Sequence, residues 1–157
     1  MYDVRSVLPG FPGNCREVTN CLPRQQMFQR MPRISWPVFA GKSFGGRMTS
    51  QYLSAHHHHE VKGIIFYGFP LHAPGKSSIE RAEHLKGIKI PMLFLQGTRD
   101  ELATWNLIES VCSSLPLAAL VKIEGANHAF KAGKQDIMKL LTNETKTWID
   151  RMIKSDK

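Results

Sequence analysis

A strict alternation of strand and helix signals is the feature that most constrains the fold of this chain. From residue 36 onward, short runs rich in apolar, β-branched and aromatic residues alternate with stretches of helical periodicity. The predicted strands are "WPVFAG", "VKGIIFYGFP", "KIPMLFLQGT" and "LAALVKIEG", at residues 36–41, 61–70, 89–98 and 117–125. The predicted helices cover residues 44–55, 105–115 and 134–154. Because parallel strands are joined by helical crossovers, this order predicts an α/β domain with a mainly parallel sheet and flanking helices.

The first 35 residues differ in composition from the rest of the chain. Five arginines and no lysine precede residue 42, whereas twelve lysines and four arginines follow Gly41. Prolines at positions 9, 12, 23 and 32 interrupt any regular element there. We therefore interpret residues 1–35 as an irregular or disordered segment, foreign to the domain that residues 36–157 form. A natural, irregular N-terminal arm is the alternative.

Composition and charge exclude several function classes. The net charge of +8 suggests nucleic-acid binding, but the lysines are interspersed with acidic residues and no basic run exceeds two residues. No apolar run reaches the 18 or so residues that a membrane span requires. Cys15, Cys21 and Cys112 are too few and too scattered for a disulfide framework or a zinc site. We expect a cytoplasmic protein with no metal or other cofactor and with neither a nucleic-acid nor a membrane partner.

The segment "PVFAGKSFGGRM" (residues 37–48) contains two competing motifs. "GKS" ends a phosphate-binding P-loop, whose first glycine would have to stand at position 36. Trp36 occupies that position, and residues 37–40 resemble a strand, so a nucleotide cradle is excluded.

"GKSFG" also matches G-x-S-x-G, the sharp strand-to-helix turn that presents a nucleophilic serine at the edge of a sheet. Ser43 is then the nucleophile. Such a turn crowds the positions two residues before and two residues after the serine, and here both positions are glycines, Gly41 and Gly45. Gly46 allows close packing of the next helix. The N–H of Phe44, at that helix's start, would donate to an oxyanion.

Two residues downstream complete a candidate catalytic triad with Ser43. In this fold the acid follows a later strand and the histidine follows the last strand. Asp100 lies in "LFLQGTRDEL" and His128 in "VKIEGANHAF", each just beyond a predicted strand. His128 would accept the Ser43 proton, and Asp100 would hold the imidazole. Glu101 is a neighbouring alternative for the acid.

These motifs resemble a known family. "GKSFGGRMTS", "GFPLHAPGK", "EHLKGIKIPMLFLQGTRDEL" and "GANHAF" resemble the compact α/β-hydrolases related to dienelactone hydrolase. Within them the resemblance is greatest to the group that contains testis-expressed protein 30 and the non-specific lethal complex subunit 3. It implies that Ser43, Asp100 and His128 occupy the nucleophile, acid and base positions. Dienelactone hydrolase itself has a cysteine nucleophile, and the serine here indicates general esterase-like chemistry that leaves the substrate open. We expect a small ester, thioester or lactone.

The resemblance covers the chain from about residue 37. Hydrolases of this kind place about four strands before the nucleophile, and a loop after the third supplies a second oxyanion N–H. We therefore expect a C-terminal portion of the fold, truncated before the nucleophile strand, with weak or no activity. Its exposed sheet edge would favour self-association.

Three further features leave alternatives open. The run His56–His59 suggests weak metal affinity or merely suits a helix C-terminus. Arg47 would steer an acidic substrate or form a salt bridge on its helix, and His72 would line the pocket or serve a turn. At the level of function, the sequence favours a serine hydrolase over a catalytically silent hydrolase-fold module that binds partners.

Overall fold

The computed structural model describes residues 37–133 and 136–155. The elements follow in the order β1 (Val38–Lys42), α1 (Phe44–Ala55), β2 (Gly63–Tyr67), a 3₁₀ helix (Glu80–Gly87), β3 (Met92–Gly97), α2 (Trp105–Ser113), β4 (Ala118–Ile123) and α3 (Ile137–Ser155). The segment of residues 1–35 that the sequence sets apart lies outside the described residues.

The four strands form one parallel sheet in the order β1-β2-β3-β4. The register pairs Ala40 with Ile65, Ile65 with Leu93, and Leu93 with Ala119. Each strand is joined to the next through a helical segment, as parallel pairing requires. The predicted α/β architecture is confirmed.

Two apolar layers cover the faces of the sheet. Ile64 and Phe66 of β2 and Phe94 of β3 point into one layer, with buried residues of α1, the 3₁₀ helix and α2. Their chain neighbours Ile65 and Leu93 point into the other layer, with Ile137 and Leu141 of α3. Because both faces of β2 and β3 are covered, every position there is apolar or small except Tyr67 and Gln96.

Strand β1 is the least buried strand of the sheet. It pairs with β2 on one side, and Ala40 and Lys42 are exposed. Within residues 37–133 and 136–155, no strand pairs with its other side.

Three local features differ from the sequence prediction. The 3₁₀ helix was not predicted, because Ala82 and Leu85 are its only buried residues and give too short a period. Strand β2 ends at Tyr67, because Gly68 turns the chain with φ +70°. The helical period of α1 places Met48, Tyr52 and Leu53 on one side, but Met48 is 41% exposed whereas Leu53 is buried. The buried residues of α1 are Gly46, Ser50 and Leu53, so small side chains let this helix lie close to the sheet.

The helices of the described region include none that is both long enough and apolar enough to span a bilayer.

Candidate active site

Ser43 occupies a strained turn between β1 and α1. Its φ of 51° and ψ of −123° lie in a region that non-glycine residues rarely adopt. The Ser43 N–H donates to the carbonyl oxygen of Tyr67 on β2, 3.1 Å away, and the Arg47 N–H donates to the Ser43 carbonyl oxygen at 3.2 Å. These bonds fix the backbone of the turn so that it holds the hydroxyl at the carboxyl edge of the sheet.

The glycines of the turn do not all serve the expected purpose. A Cβ on Gly41 would lie 2.5 Å from the Cα of Gly46, and one on Gly46 would lie 2.8 Å from the Gly41 oxygen. A Cβ on Gly45 would meet no described atom within 4 Å. The prediction that the chain is crowded two residues after Ser43 is therefore wrong. The crowded position is Gly46, three residues after Ser43, where the first turn of α1 crosses the end of β1.

The start of α1 presents a backbone donor beside Ser43. The Phe44 N–H has no acceptor among the described residues, as expected for the first amide of a helix. The Phe44 side chain is 59% exposed. A helix N-terminus with a free N–H stabilises negative charge in front of it.

A continuous hydrogen-bonded chain joins Ser43, His128 and Asp100. The Ser43 Oγ is 2.7 Å from the Nε2 of His128, across 85 residues of sequence. The His128 Nδ1 is 2.8 Å from Asp100 Oδ2. Because a carboxylate only accepts, Nδ1 carries the ring proton and Nε2 is left to accept from the serine hydroxyl. Glu101, the alternative acid, is exposed and lies outside this chain of bonds.

Asp100 is buried and fully bonded. Its side chain is 1% exposed. Oδ1 accepts the Leu102 N–H at 2.8 Å, and Oδ2 accepts from Gln96 Nε2 at 2.6 Å as well as from His128. Three donors thus surround one carboxyl group and fix its orientation.

The loops that carry Asp100 and His128 are tied to each other. The Arg99 N–H donates to the Ala126 oxygen at 2.9 Å, and the Thr98 N–H donates to the Ile123 oxygen at 3.1 Å. Gly97 lies so close to Ala126 that a Cβ on it would collide with the Ala126 carbonyl oxygen. The spacing between acid and histidine is therefore set by backbone contacts.

Two residues of the site were not identified as such from the sequence. Gly68 ends β2 beneath the imidazole, where a Cβ would lie 3.5 Å from the His128 ring. Gln96 contacts Asp100 directly. A glycine just after β2 and a glutamine in an otherwise apolar strand were the available signals, and each has common structural explanations.

A second serine–histidine pair lies under α1. Ser50 Oγ is 2.7 Å from His84 Nε2, but Ser50 is 0% exposed. The Ser50 hydroxyl donates to the Arg47 carbonyl oxygen at 2.8 Å, so His84 Nε2 must donate to Ser50. No carboxylate contacts His84 within the described part of the chain. The pair packs α1 on the 3₁₀ helix and lacks the arrangement of a nucleophile and base.

His84 gives this packing a pH dependence. Burial, followed by the nearby Arg47 charge, lowers the pKa of His84 below its usual 6.5. The unfolded chain therefore binds this proton at a higher pH than the folded chain. Stability from His84 is present above pH 6.5 and is lost as pH falls toward the folded-state pKa. We expect urea unfolding to show a steeper loss of stability below pH 6.5 in the wild type than in His84→Gln. Equal slopes would contradict this role.

His72 and Arg47 have the contacts of structural residues. The His72 Nδ1 donates to the Ala73 oxygen at 2.9 Å, and its Nε2 accepts the Thr104 N–H at 3.0 Å. His72 is buried and clamps the loop after β2 to the start of α2, so it is not placed as a pocket-lining side chain. The Arg47 guanidinium lies 5.5 Å from the centre of the Phe44 ring, and no described residue forms an ion pair with it.

The histidine run lies at the opposite edge of the sheet from Ser43. His56 Nδ1 lies 3.0 Å from the Tyr52 oxygen, and His58 Nε2 lies 3.0 Å from the Tyr52 hydroxyl. The run lines a cavity of about 460 Å³ near the amino ends of β2 and β3. Over the described ranges, no three His, Cys, Asp or Glu side chains are grouped to hold a metal ion.

Solved structures of hydrolases share this fold. Est1E from Butyrivibrio proteoclasticus, solved with ferulic acid bound, superimposes with a TM-score of 0.63 at 14% identity, over 82% of this chain and 64% of that one. A CIB-like hydrolase from Thermoplasma acidophilum gives 0.56 at 20% identity, over 77% and 55%. The esterase domain of a Rhodothermus marinus protein gives 0.56 at 13% identity, over 73% and 60%. The chain thus spans less than two thirds of each.

A family comparison extends over most of the sequence. The model of an alpha/beta hydrolase domain matches residues 16–154, a range that begins within the N-terminal segment and ends in α3. The parallel sheet, the turn at Ser43 and the chain of hydrogen bonds at the carboxyl edge all lie within the matched range. The chain belongs to the alpha/beta hydrolase domain family.

Proposed function

We propose that this protein is a serine hydrolase acting on a small ester, thioester or lactone. Ser43 is the nucleophile, His128 the general base and Asp100 the acid that holds the imidazole. The observation that carries the proposal is the unbroken pair of hydrogen bonds, 2.7 Å from Ser43 to His128 and 2.8 Å from His128 to Asp100. Nucleophile, base and orienting acid within hydrogen-bond reach are the geometric requirement for this chemistry.

The proposed reaction proceeds through an acyl-enzyme. His128 Nε2 takes the Ser43 proton as Oγ bonds to the carbonyl carbon, and the carbonyl π electrons move to the oxygen. The tetrahedral intermediate collapses, the bond to the alcohol or thiol breaks, and His128 protonates the leaving group. Water then attacks the acyl-serine with His128 again as base, which releases the acid and restores Ser43.

We propose that hydrolysis by this chain is slow. The donor that the described residues offer to the oxyanion is the Phe44 N–H at the start of α1. Loss of one donor from an oxyanion hole typically lowers kcat about 100- to 1,000-fold. A rate reduced to that extent is still measurable above the uncatalysed reaction.

Hydrolysis of p-nitrophenyl acetate by the full chain tests the proposal. We expect a slow release of p-nitrophenol that Ser43→Ala removes. Ser50→Ala is the matched control, because Ser50 also contacts a histidine but is buried. It should retain the wild-type rate. A rate that Ser43→Ala leaves unchanged would refute the proposal.

The finer grouping is also a proposal. The segments "GKSFGGRMTS" and "LFLQGTRDEL", which contain Ser43 and Asp100, support a place among the hydrolases related to dienelactone hydrolase, near testis-expressed protein 30. The likeness to the esterase domain from Rhodothermus marinus supports an ester-type substrate. We further propose a cytoplasmic location, in accord with the free, buried Cys112 thiol, whose pKa burial raises to about 12. Cell fractionation checks it.

The outer edge of β1, with which no strand of residues 37–133 and 136–155 pairs, favours a second candidate function, that of a non-catalytic module that binds partners. Ala40 and Lys42 are exposed there, and the adjoining Phe44 side chain is 59% exposed. A free strand edge pairs readily with another strand, including that of a second copy. Light scattering would then detect a dimer that Ala40→Pro disrupts. The folded chain would not hydrolyse esters.

A further inference from the structure

Gln96 is a fully buried polar residue at the carboxyl end of β3. It is 0% exposed and follows four apolar residues of the strand. It precedes Asp100 by four residues, and its side chain contacts the Asp100 carboxylate. A buried amide at a strand end needs hydrogen-bond partners on both its oxygen and its nitrogen. Those partners decide what the side chain does.

The orientation of the Gln96 amide is set by the loop that follows β2. The Phe69 N–H lies 2.8 Å from Gln96 Oε1, and a backbone N–H can only donate. The oxygen therefore faces Phe69, and the NH₂ group faces Asp100. Nε2 lies 2.6 Å from Asp100 Oδ2, the same oxygen that accepts from His128 Nδ1.

We propose that Gln96 is a positioning residue for the Asp100 carboxylate and acts on catalysis through it. The inference rests on the proposed function of Ser43, His128 and Asp100. Gln96 shares Oδ2 with His128 while the Leu102 N–H holds Oδ1, so the carboxyl plane cannot rotate. A fixed Oδ2 keeps the imidazole aimed at Ser43 as the ring gains and loses its proton.

The neutral amide also sets the charge at the site. It donates to Asp100 without contributing a charge, so within residues 37–133 and 136–155 the Asp100 carboxyl is the one acidic group in contact with His128. A carboxyl group in its place could donate to Asp100 only while protonated. Two ionised carboxylates in contact would repel each other.

Two substitutions test the proposal through the rate and pH profile of Ser43 labelling by a fluorophosphonate in the full chain. In Gln96→Leu the limiting labelling rate should fall about 10- to 100-fold, the scale of a small misplacement of reacting groups, with the half-saturating probe concentration unchanged. In Gln96→Glu the labelling rate should rise with pH and then decrease at high pH. The wild type should not show this decrease. Gln51→Leu on α1 is the control and should behave as wild type. Unchanged rates and profiles in both Gln96 variants would overturn the proposal.

Proton NMR separates this proposal from the proposed function. The His128 Nδ1 proton should exchange slowly in the wild type and much faster in Gln96→Leu, whether or not Ser43 is labelled. Equal exchange rates of this proton in the two proteins would overturn the role of Gln96. If the rates differ as expected but Ser43 takes up no label, only the proposed hydrolase function is refuted. If Gln96→Leu does not fold, hydrogen exchange of the wild-type protein provides the test. Gln96 side-chain amide protons that exchange as fast as those of exposed amides would overturn the proposal.

Discussion

Asp100→Asn is expected to lower the rate of Ser43 acylation about 10⁴-fold at neutral pH, the size of effect seen when an acid that orients a histidine becomes an amide. The reason is the set of three donors around the carboxyl group: His128 Nδ1, Gln96 Nε2 and the Leu102 N–H. An amide offers one acceptor oxygen, so its NH₂ group must face a donor on one side. The imidazole would then lose its partner or adopt the wrong tautomer.

The same substitution should also lower the free energy of unfolding by about 1–3 kcal/mol, because buried donors lose their acceptor. Fluorophosphonate labelling and urea unfolding measure the two effects. Glu101→Gln provides the matched control, since Glu101 is the adjacent carboxylate and is exposed. It should leave the labelling rate and the stability unchanged. Comparable losses in the two variants would mean that Asp100 has no special role.

Adjacent glycines in α1 are expected to respond oppositely to alanine. Gly46→Ala places a methyl group 2.8 Å from the Gly41 carbonyl oxygen and 3.1 Å from the Phe66 ring. Since the carbonyl belongs to β1, either the strand or the helix must shift. Overpacking of this kind typically costs about 1–3 kcal/mol. A displaced turn would also move the Ser43 hydroxyl away from His128 and slow its acylation.

Gly45→Ala should behave differently, because the new methyl group meets no described atom within 4 Å. Alanine restricts the unfolded chain more than glycine does, so a gain of about 0.5 kcal/mol is expected. Thermal unfolding of the two variants, measured side by side, gives the comparison. A loss of stability at Gly45 that equals the loss at Gly46 would contradict the packing described here.

The centre of the sheet could be predicted because β2 and β3 are largely continuous apolar runs. Ile64, Ile65 and Phe66 are consecutive and all buried, since helices cover both faces of β2. The 3₁₀ helix could not be predicted in the same way, because its polar sequence buries only two side chains. The buried residues of α1 could not be read from its large apolar side chains, because the close approach of this helix to the sheet selects Gly46 and Ser50 in their place.

The candidate site was partly predictable for a different reason. Ser43, Asp100 and His128 each follow a strand, and carboxyl ends of parallel strands share one edge, so their order along the chain indicates a common location. The contacts of Gln96 and Gly68 depend on the spacing between strands and on backbone angles, which no local pattern encodes. The pairing of Ser50 with His84 depends in the same way on how α1 packs on the 3₁₀ helix.

Labelling of the full chain with a fluorophosphonate, followed by mass spectrometry of the peptides, tests the central claim most directly. The reagent requires a serine whose hydroxyl proton a neighbouring base removes. We expect the label on Ser43 in the wild type and in Ser50→Ala, and no label in Ser43→Ala. A folded chain that takes up no label at Ser43, or is labelled equally in Ser43→Ala, would contradict the assignment of Ser43 as the nucleophile.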